Sequence, residues 1–305
     1  MRKLNVFSIA LVLLASGGVM TALGTDTDWK GQLEQWRVQH AESLRAPDGW
    51  LTLVGLAWLK PGDNSFGTAS DSSIRLQPSG SAHYGVLRVE PNGIVLKSPA
   101  GGFPAEFKVD GQSAKEQSVV VDGPDPTKFT AGTLTFFVIR RGDQLALRIK
   151  DSEAPTRTGF RGLRWYAPDP VYRIEADWVP FAEPKERTIL NIVGIATKGL
   201  VPGVARFTLH GQTIELEPVV QNLNTKNLMF VIRDGTSGKT TYADARFLHT
   251  GLPDHGLTNP GKIVLDFNRL ENPPCAYTPY ATCPLPPESN RLKVAIAAGE
   301  LSYPH

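Results

Sequence analysis

The residues best suited to meet a ligand fall mostly in the second half of the chain. Arg148 and Asp151 stand three apart at the end of an apolar run. Arg233 opens a Gly-rich turn with Thr236, Thr240 and Tyr242 behind it, and Arg246 starts the next apolar run. Arg157, Arg161 and Arg164 belong to the same set. A guanidinium is a planar fork of N–H donors that matches a carboxylate or phosphate, and the neighbouring hydroxyls add further donors. The plainer reading of arginines at strand ends is pairing with nearby acids, which contributes little at a surface.

The segment from Asp266 to Leu292 is the most unusual in composition. It is rich in proline and carries both cysteines, with Asp266, Asn268, Asn272, Asn290 and Arg291 among them. A Pro-rich run without strand alternation forms irregular backbone, whose N–H and C=O groups need fixed partners. Short polar side chains supply such partners. Two readings stay open. In one the loop is stapled by its own polar residues; in the other it walls a pocket and turns Asp266, Asn268 and Arg291 towards it. Cys275 and Cys283 are the only cysteines. In an oxidising compartment a disulfide between them is expected, worth about 2.5 kcal/mol by loop closure. Two free buried thiols are the alternative. No close His pair or Cys-x-x-Cys supports a metal site.

Other motifs fail on chemistry. Gly238-Lys239-Thr240 imitates a phosphate-binding loop, but Arg233 stands where the first glycine is required. Arg141-Gly142-Asp143 reads as a turn tripeptide. There is no Gly-x-Ser-x-Gly elbow. His249, Asp254 and His255 share one loop, where a solvated role is the simpler reading and a proton-transfer role the sharper one. Glu175, Asp177 and Glu183 are possible paired carboxylates. No cofactor motif is present and none is expected.

These side chains need elements to hold them. Asp28 to Leu44 predicts a helix, with Leu33, Trp36, Arg37 and His40 at helical spacing and Pro47 beyond its end. Trp50 to Val54, Ile74 to Leu76, Tyr84 to Val89, Gly93 to Leu96, Phe107 to Val109, Gly132 to Ile139 and Leu145 to Ile149 read as short strands. Pro91-Asn92-Gly93, Val109-Asp110-Gly111 and His210-Gly211-Gln212 read as tight hairpin turns. A second set of strands is expected at Val171 to Val179, Arg187 to Ala196, Ala205 to Leu209, Thr213 to Leu216, Leu228 to Ile232 and Lys262 to Phe267. The fold class is therefore mainly β: antiparallel sandwich or barrel modules with one N-terminal amphipathic helix and a Pro-rich C-terminal loop. The expected divisions are a signal peptide over 1–24, the helix over 25–48, a first β-module over 49–150 and a second over 151–305.

Arg2 and Lys3 followed by an apolar run, and Ala22-Leu23-Gly24 after it, have the layout of a cleaved secretory signal. Those two residues account for the formal charge of +2; the rest of the chain carries 30 acidic residues and as many basic ones. Without a basic cluster, nucleic acid is not an expected partner. No later stretch is apolar for long enough to span a membrane.

From Trp50 onward the chain resembles a family known as domain of unknown function 1684, found in bacteria and archaea. The likeness is carried by DGWLTLVGLAWLKPGDNSFG (48–67), RRGDQLALRIKD (140–151), RDGTSGKTTYADARFL (233–248), DFNRLENPPCAYTPYATCPLPPESNRL (266–292) and AIAAGE (295–300). The resemblance implies that family's architecture and brings no activity with it. Residues 62–142 also resemble the layout of forkhead-associated sandwiches, although Thr68 stands where those domains place a phosphate-binding arginine. Three roles are weighed. The leading one is an exported protein binding a small polar or anionic ligand through Arg148, Asp151, Arg233, Thr236, Tyr242, Arg246, Asp266, Asn268, Asn290 and Arg291. The second is a metal-independent hydrolase or lyase with Asp266 or His249 as base. The third is a structural envelope protein with no small-molecule site.

Overall fold

The computed structural model describes residues 26–77, 80–121, 123 and 125–304. The expected signal peptide at 1–24 lies outside the described residues. Helix α1 runs Asp26–Arg45, a little longer at each end than its apolar spacing predicts. Its inward face carries Leu33, Arg37 and Leu44, all buried, with Trp36 and His40 half-buried between them. Trp50–Thr52, expected as strand, instead forms a single 3-10 turn that leads into strand β1.

The first half of the body contains β1 (Leu53–Trp58), β2 (Gly62–Gly67), β3 (Ile74–Arg75), β4 (Gly85–Glu90), β5 (Gly93–Lys97), β6 (Lys108–Val109), β7 (Gln112–Ser113), β8 (Gln117–Ser118), β9 (Phe129–Ala131), β10 (Leu134–Arg141) and β11 (Gln144–Asp151). They form a six-stranded sheet in the order β1-β11-β10-β9-β6-β7 and a five-stranded sheet in the order β3-β2-β4-β5-β8. All pairs are antiparallel except β2–β3. The two sheets bury one shared core, in which Phe66, Tyr84 and Leu87 meet Phe129, Phe136 and Leu147. Several of these rings pack at centroid distances of 5.6–6.5 Å, the range in which tilted and edge contacts add to plain area burial.

The second half contains β12 (Arg173–Leu190), β13 (Ala196–Leu209), β14 (Gln212–Leu216), β15 (Leu228–Ile232), β16 (Arg246–Thr250) and β17 (Gly261–Asp266). Four strands pair in the order β14-β13-β12-β17, and β15 pairs with β16 beside them. The expected strand from Arg187 to Ala196 is not separate. Arg187 continues β12, and the chain reverses at Asn191, whose Oδ1 accepts from the amides of Val193 and Ile195 at 3.1 and 2.9 Å. The second core gathers Trp178, Phe207, Leu216, Phe230, Leu265 and Phe267. Trp178 is buried without an orphan donor, because its indole N–H reaches the carbonyl of Leu257 at 3.0 Å.

The fold is mainly β with antiparallel sheets, and no sheet closes into a barrel. The hairpin turns have the backbone their residues require. Asp110 and Gly111 take φ of 48° and 78°, and His210 and Gly211 take 50° and 76°. Positive φ at both central positions matches the twist of the flanking strands. No helix among the described residues is long and apolar enough to cross a membrane.

Candidate functional site

Strands β10 and β11 form a hairpin with a continuous register from Leu134–Asp151 to Arg141–Gln144. Side chains alternate across a sheet, so Phe137, Ile139 and Arg141 share one face of β10, and Arg148 stands opposite Phe137 on the same face. That face is turned towards the Pro-rich loop of the second half, because Arg141 Nε donates to Thr282 Oγ1 at 2.8 Å. The loop is in turn sewn to the β12–β13 turn. Ile192 N–H donates to the carbonyl of Cys283 at 2.9 Å, and Leu285 N–H to that of Leu190 at 2.8 Å.

A cleft of about 620 Å³ opens where these elements meet. Its polar wall includes Arg140, Arg141, Asn191, Glu217, Gln221 and Thr282; Val219, Met229, Val231, Pro284 and Leu285 are among its apolar lining. The volume falls within the range of small-molecule pockets. The charges are arranged unevenly. Glu217 is held in a two-point pair by Arg187, with Nε at 3.1 Å and Nη2 at 2.9 Å from its oxygens. Arg141 has no carboxylate within ion-pair distance among the described residues; its Nε goes to Thr282 and its Nη1 to the carbonyl of Arg140. Asn191 is 6% exposed, and its Nδ2 donor is buried with no hydrogen-bond partner. A buried unpaired amide donor costs on the order of 1–3 kcal/mol. The cleft therefore carries a guanidinium without a carboxylate partner, and one of its lining residues, Asn191, holds a buried amide donor with no partner.

The residues singled out from sequence are spread over several places instead. Arg148 is 5% exposed, stacked between Trp50 and Phe137 at 5.2 and 5.8 Å. Burial lowers its pKa to about 10, and its Nε and Nη2 have no hydrogen-bond partner. Asp151 accepts from the amide of Glu153 at 2.9 Å and lines a mostly apolar groove beside β1. Arg233 is exposed and donates to the carbonyl of Ala243 at 3.0 Å. Thr236 and Arg246 belong to a closed interior network. Arg246 and Asp234, both with fully buried side chains, pair at 2.6 Å, and Arg246 also donates to the carbonyls of Ile296 and Ala298. Thr236 donates to Asp234 Oδ1 at 2.7 Å.

The loop residues likewise hold backbone. Asp266 accepts from Trp29 Nε1 at 2.7 Å on one oxygen and from Asn268 on the other. Asn268 brackets Asp169, accepting from its amide and donating to its carbonyl, each at 2.9 Å. Asn290 brackets Glu217 in the same way and also donates to Val231. It thus fixes the strand end that carries Glu217 into the cleft. Arg291 lies in a shallow groove and its Nε donates to the carbonyl of Pro286 at 3.3 Å. Tyr242 donates to the carbonyl of Cys275 at 3.3 Å, and both cysteines are free thiols.

A second cluster surrounds Glu271. One of its oxygens lies 3.3 Å from His40 Nδ1 and the other 3.5 Å from His249 Nε2. His40 Nε2 lies 3.6 Å from Glu300, which accepts from Tyr277 at 2.6 Å and from Asn272 at 2.8 Å. His249, Glu271, Arg269 and Trp36 line an open cavity of about 400 Å³. Among the described residues no group of His, Cys, Asp and Glu has the arrangement to hold a metal ion. Arg140, Arg141, Asn191, Glu217 and Glu271 were not singled out from sequence. Arg141 was visible only as a turn tripeptide, and nothing local marks Asn191.

Residues 158–301 match the family described as "Protein of unknown function (DUF1684)". Among solved structures, the chain is similar to the uncharacterized protein from gene locus rrnAC0354 of Haloarcula marismortui, determined by solution NMR. The identity is 34%, the match covers 48% of this chain and 78% of that one, and the TM-score is 0.41. No curated protein matches the chain.

Proposed function

We propose, from the premise that the chain belongs to the DUF1684 family of proteins of unknown function, that it binds a small anionic molecule in the cleft between the β10–β11 hairpin and the Pro-rich loop. The observation that carries this reading is the pairing, in one cleft, of Arg141 without a carboxylate partner and Asn191 Nδ2 without any partner. A guanidinium with open N–H donors recognises a carboxylate or phosphate, and a buried amide donor gains most from an acceptor that reaches it. The apolar residues of the lining suit a ligand with a hydrocarbon portion. The same reading places the protein outside the cytoplasm, following the layout of residues 1–24.

The test is a thermal-shift screen of small carboxylates and phosphates against the wild type, Arg141→Ala and Asn191→Ala. A compound that raises the melting temperature of the wild type and leaves Arg141→Ala unmoved supports the cleft. A compound that stabilises both proteins equally binds elsewhere and ends the reading. If no compound acts on the wild type, the structural role gains ground.

The hydrolase or lyase reading has one observation in its favour. His249, 53% exposed at its side chain, is oriented by Glu271 at the edge of an open cavity that also holds Arg269. Asp266 is less suited as a base, since both its oxygens already accept from protein donors.

A further inference from the structure

The two cysteines sit in an asymmetric setting. Cys275 is half-buried, whereas Cys283 is 6% exposed. The amide of Cys275 donates to Cys283 Sγ at 3.1 Å. The segment between them is pinned at its first half. Pro274–Ala276 is a 3-10 turn, Tyr277 reaches Glu300 at 2.6 Å, and Thr278 Oγ1 donates to the carbonyl of Leu53 at 2.9 Å. The amide–sulfur contact thus holds the two cysteines side by side as free thiols. Arg148 acts electrostatically on Cys283 from the facing sheet, with two guanidinium nitrogens unpartnered.

We propose that Cys275 and Cys283 are a thiol–disulfide redox pair, with the more accessible Cys275 attacking an external disulfide and the buried Cys283 resolving it. The thiolate of Cys275 attacks one sulfur of the external disulfide, whose S–S bond breaks and releases one half as a thiolate. Cys283 then loses its proton and attacks the Cys275 sulfur, displacing the second half. The protein dithiol gives up two electrons and two protons, and the external disulfide becomes two thiols. The inference does not depend on ligand binding in the cleft.

The electrostatics support this division. The Cys283 thiol hydrogen-bonds to Cys275 and holds it below the ordinary thiol range, against a burial effect that acts the other way. Cys283 is pushed up because it is the donor in that bond and is buried. A depressed, reachable thiol is the reactive one.

The experiment equilibrates the purified protein in buffers of defined reduced to oxidised glutathione ratio, traps thiols by alkylation and reads the intact mass. The expected result is a disulfide whose fraction follows the ratio reversibly. Cys283→Ser should accumulate a glutathione adduct on Cys275, and Cys275→Ser should leave Cys283 largely unmodified. Two results overturn the proposal: thiols that stay reduced in excess oxidised glutathione, or a disulfide that forms but cannot be reduced by glutathione. The second outcome marks a structural staple. The adduct pattern of the two serine variants separates attacking from resolving thiol.

Discussion

His40 and Glu271 face each other at 3.3 Å, imidazole Nδ1 to carboxylate Oε2, across the seam between helix α1 and the body. The same imidazole stacks on Trp36 at 5.5 Å and meets Trp165 edge-on at 5.9 Å. Burial opposes its charge, but the carboxylates of Glu300 and Glu271 beside the ring outweigh it, so its pKa is raised above 6.5.

The sign of the resulting pH dependence follows. A histidine raised in the folded state contributes stability that is fully present below its unfolded value and is lost as pH rises through its folded value. The melting-temperature difference between wild type and His40→Gln should therefore shrink towards alkaline pH. A difference that widens with pH would show that the imidazole is held neutral.

Glycine at 299 prepares this arrangement. Its φ of +81° is one that other residues rarely adopt, and a Cβ there would lie 2.6 Å from Leu270 Cβ and Leu270 O. Gly299→Ala should cost about 2 kcal/mol or more in urea denaturation. Because Glu300 follows directly, the variant should also lose part of the His40-linked pH dependence.

The pair Arg246–Asp234 is fully desolvated. Removing one partner strands the other as a buried charge, so Asp234→Ala should destabilise by about 3–5 kcal/mol. Replacing both residues by apolar ones of similar volume should recover much of that loss. Additive losses in the double variant, read in the same denaturation series, would refute the pairing argument.

Asn290→Ala removes hydrogen bonds to both backbone groups of Glu217 and to the carbonyl of Val231. The expected cost is about 3 kcal/mol, because buried backbone groups lose their partners. By contrast Arg141→Ala, at the half-buried rim of the cleft, should change stability by less than about 1 kcal/mol while abolishing any ligand-induced shift.

Much of the fold is legible in the chain because it is set locally. Helical spacing from Leu33 to His40 and the period-two runs of β4, β5 and β10 need no distant partner to be recognised. Asp110-Gly111 and His210-Gly211 announce turns that demand positive φ. The reading fails where an element is decided by its packing. Trp50–Thr52 has strand-forming residues yet coils into a 3-10 turn, with Leu51 and Thr52 buried. Arg187 to Leu190 extends β12, because the side chain of Asn191 satisfies the turn that ends it.

The candidate sites divide along the same line. By itself the sequence determined that the Pro-rich segment needs short polar side chains to hold irregular backbone, and Asp266, Asn268 and Asn290 do that. It also placed two cysteines on one short loop. Only the tertiary structure decided how each of these arginines is compensated. Arg246 finds Asp234 and is sealed inside, whereas Arg141, at a hairpin end, meets a threonine from residue 282. An arginine's charge is written in the chain, but its compensation depends on groups brought near by folding, far apart in sequence.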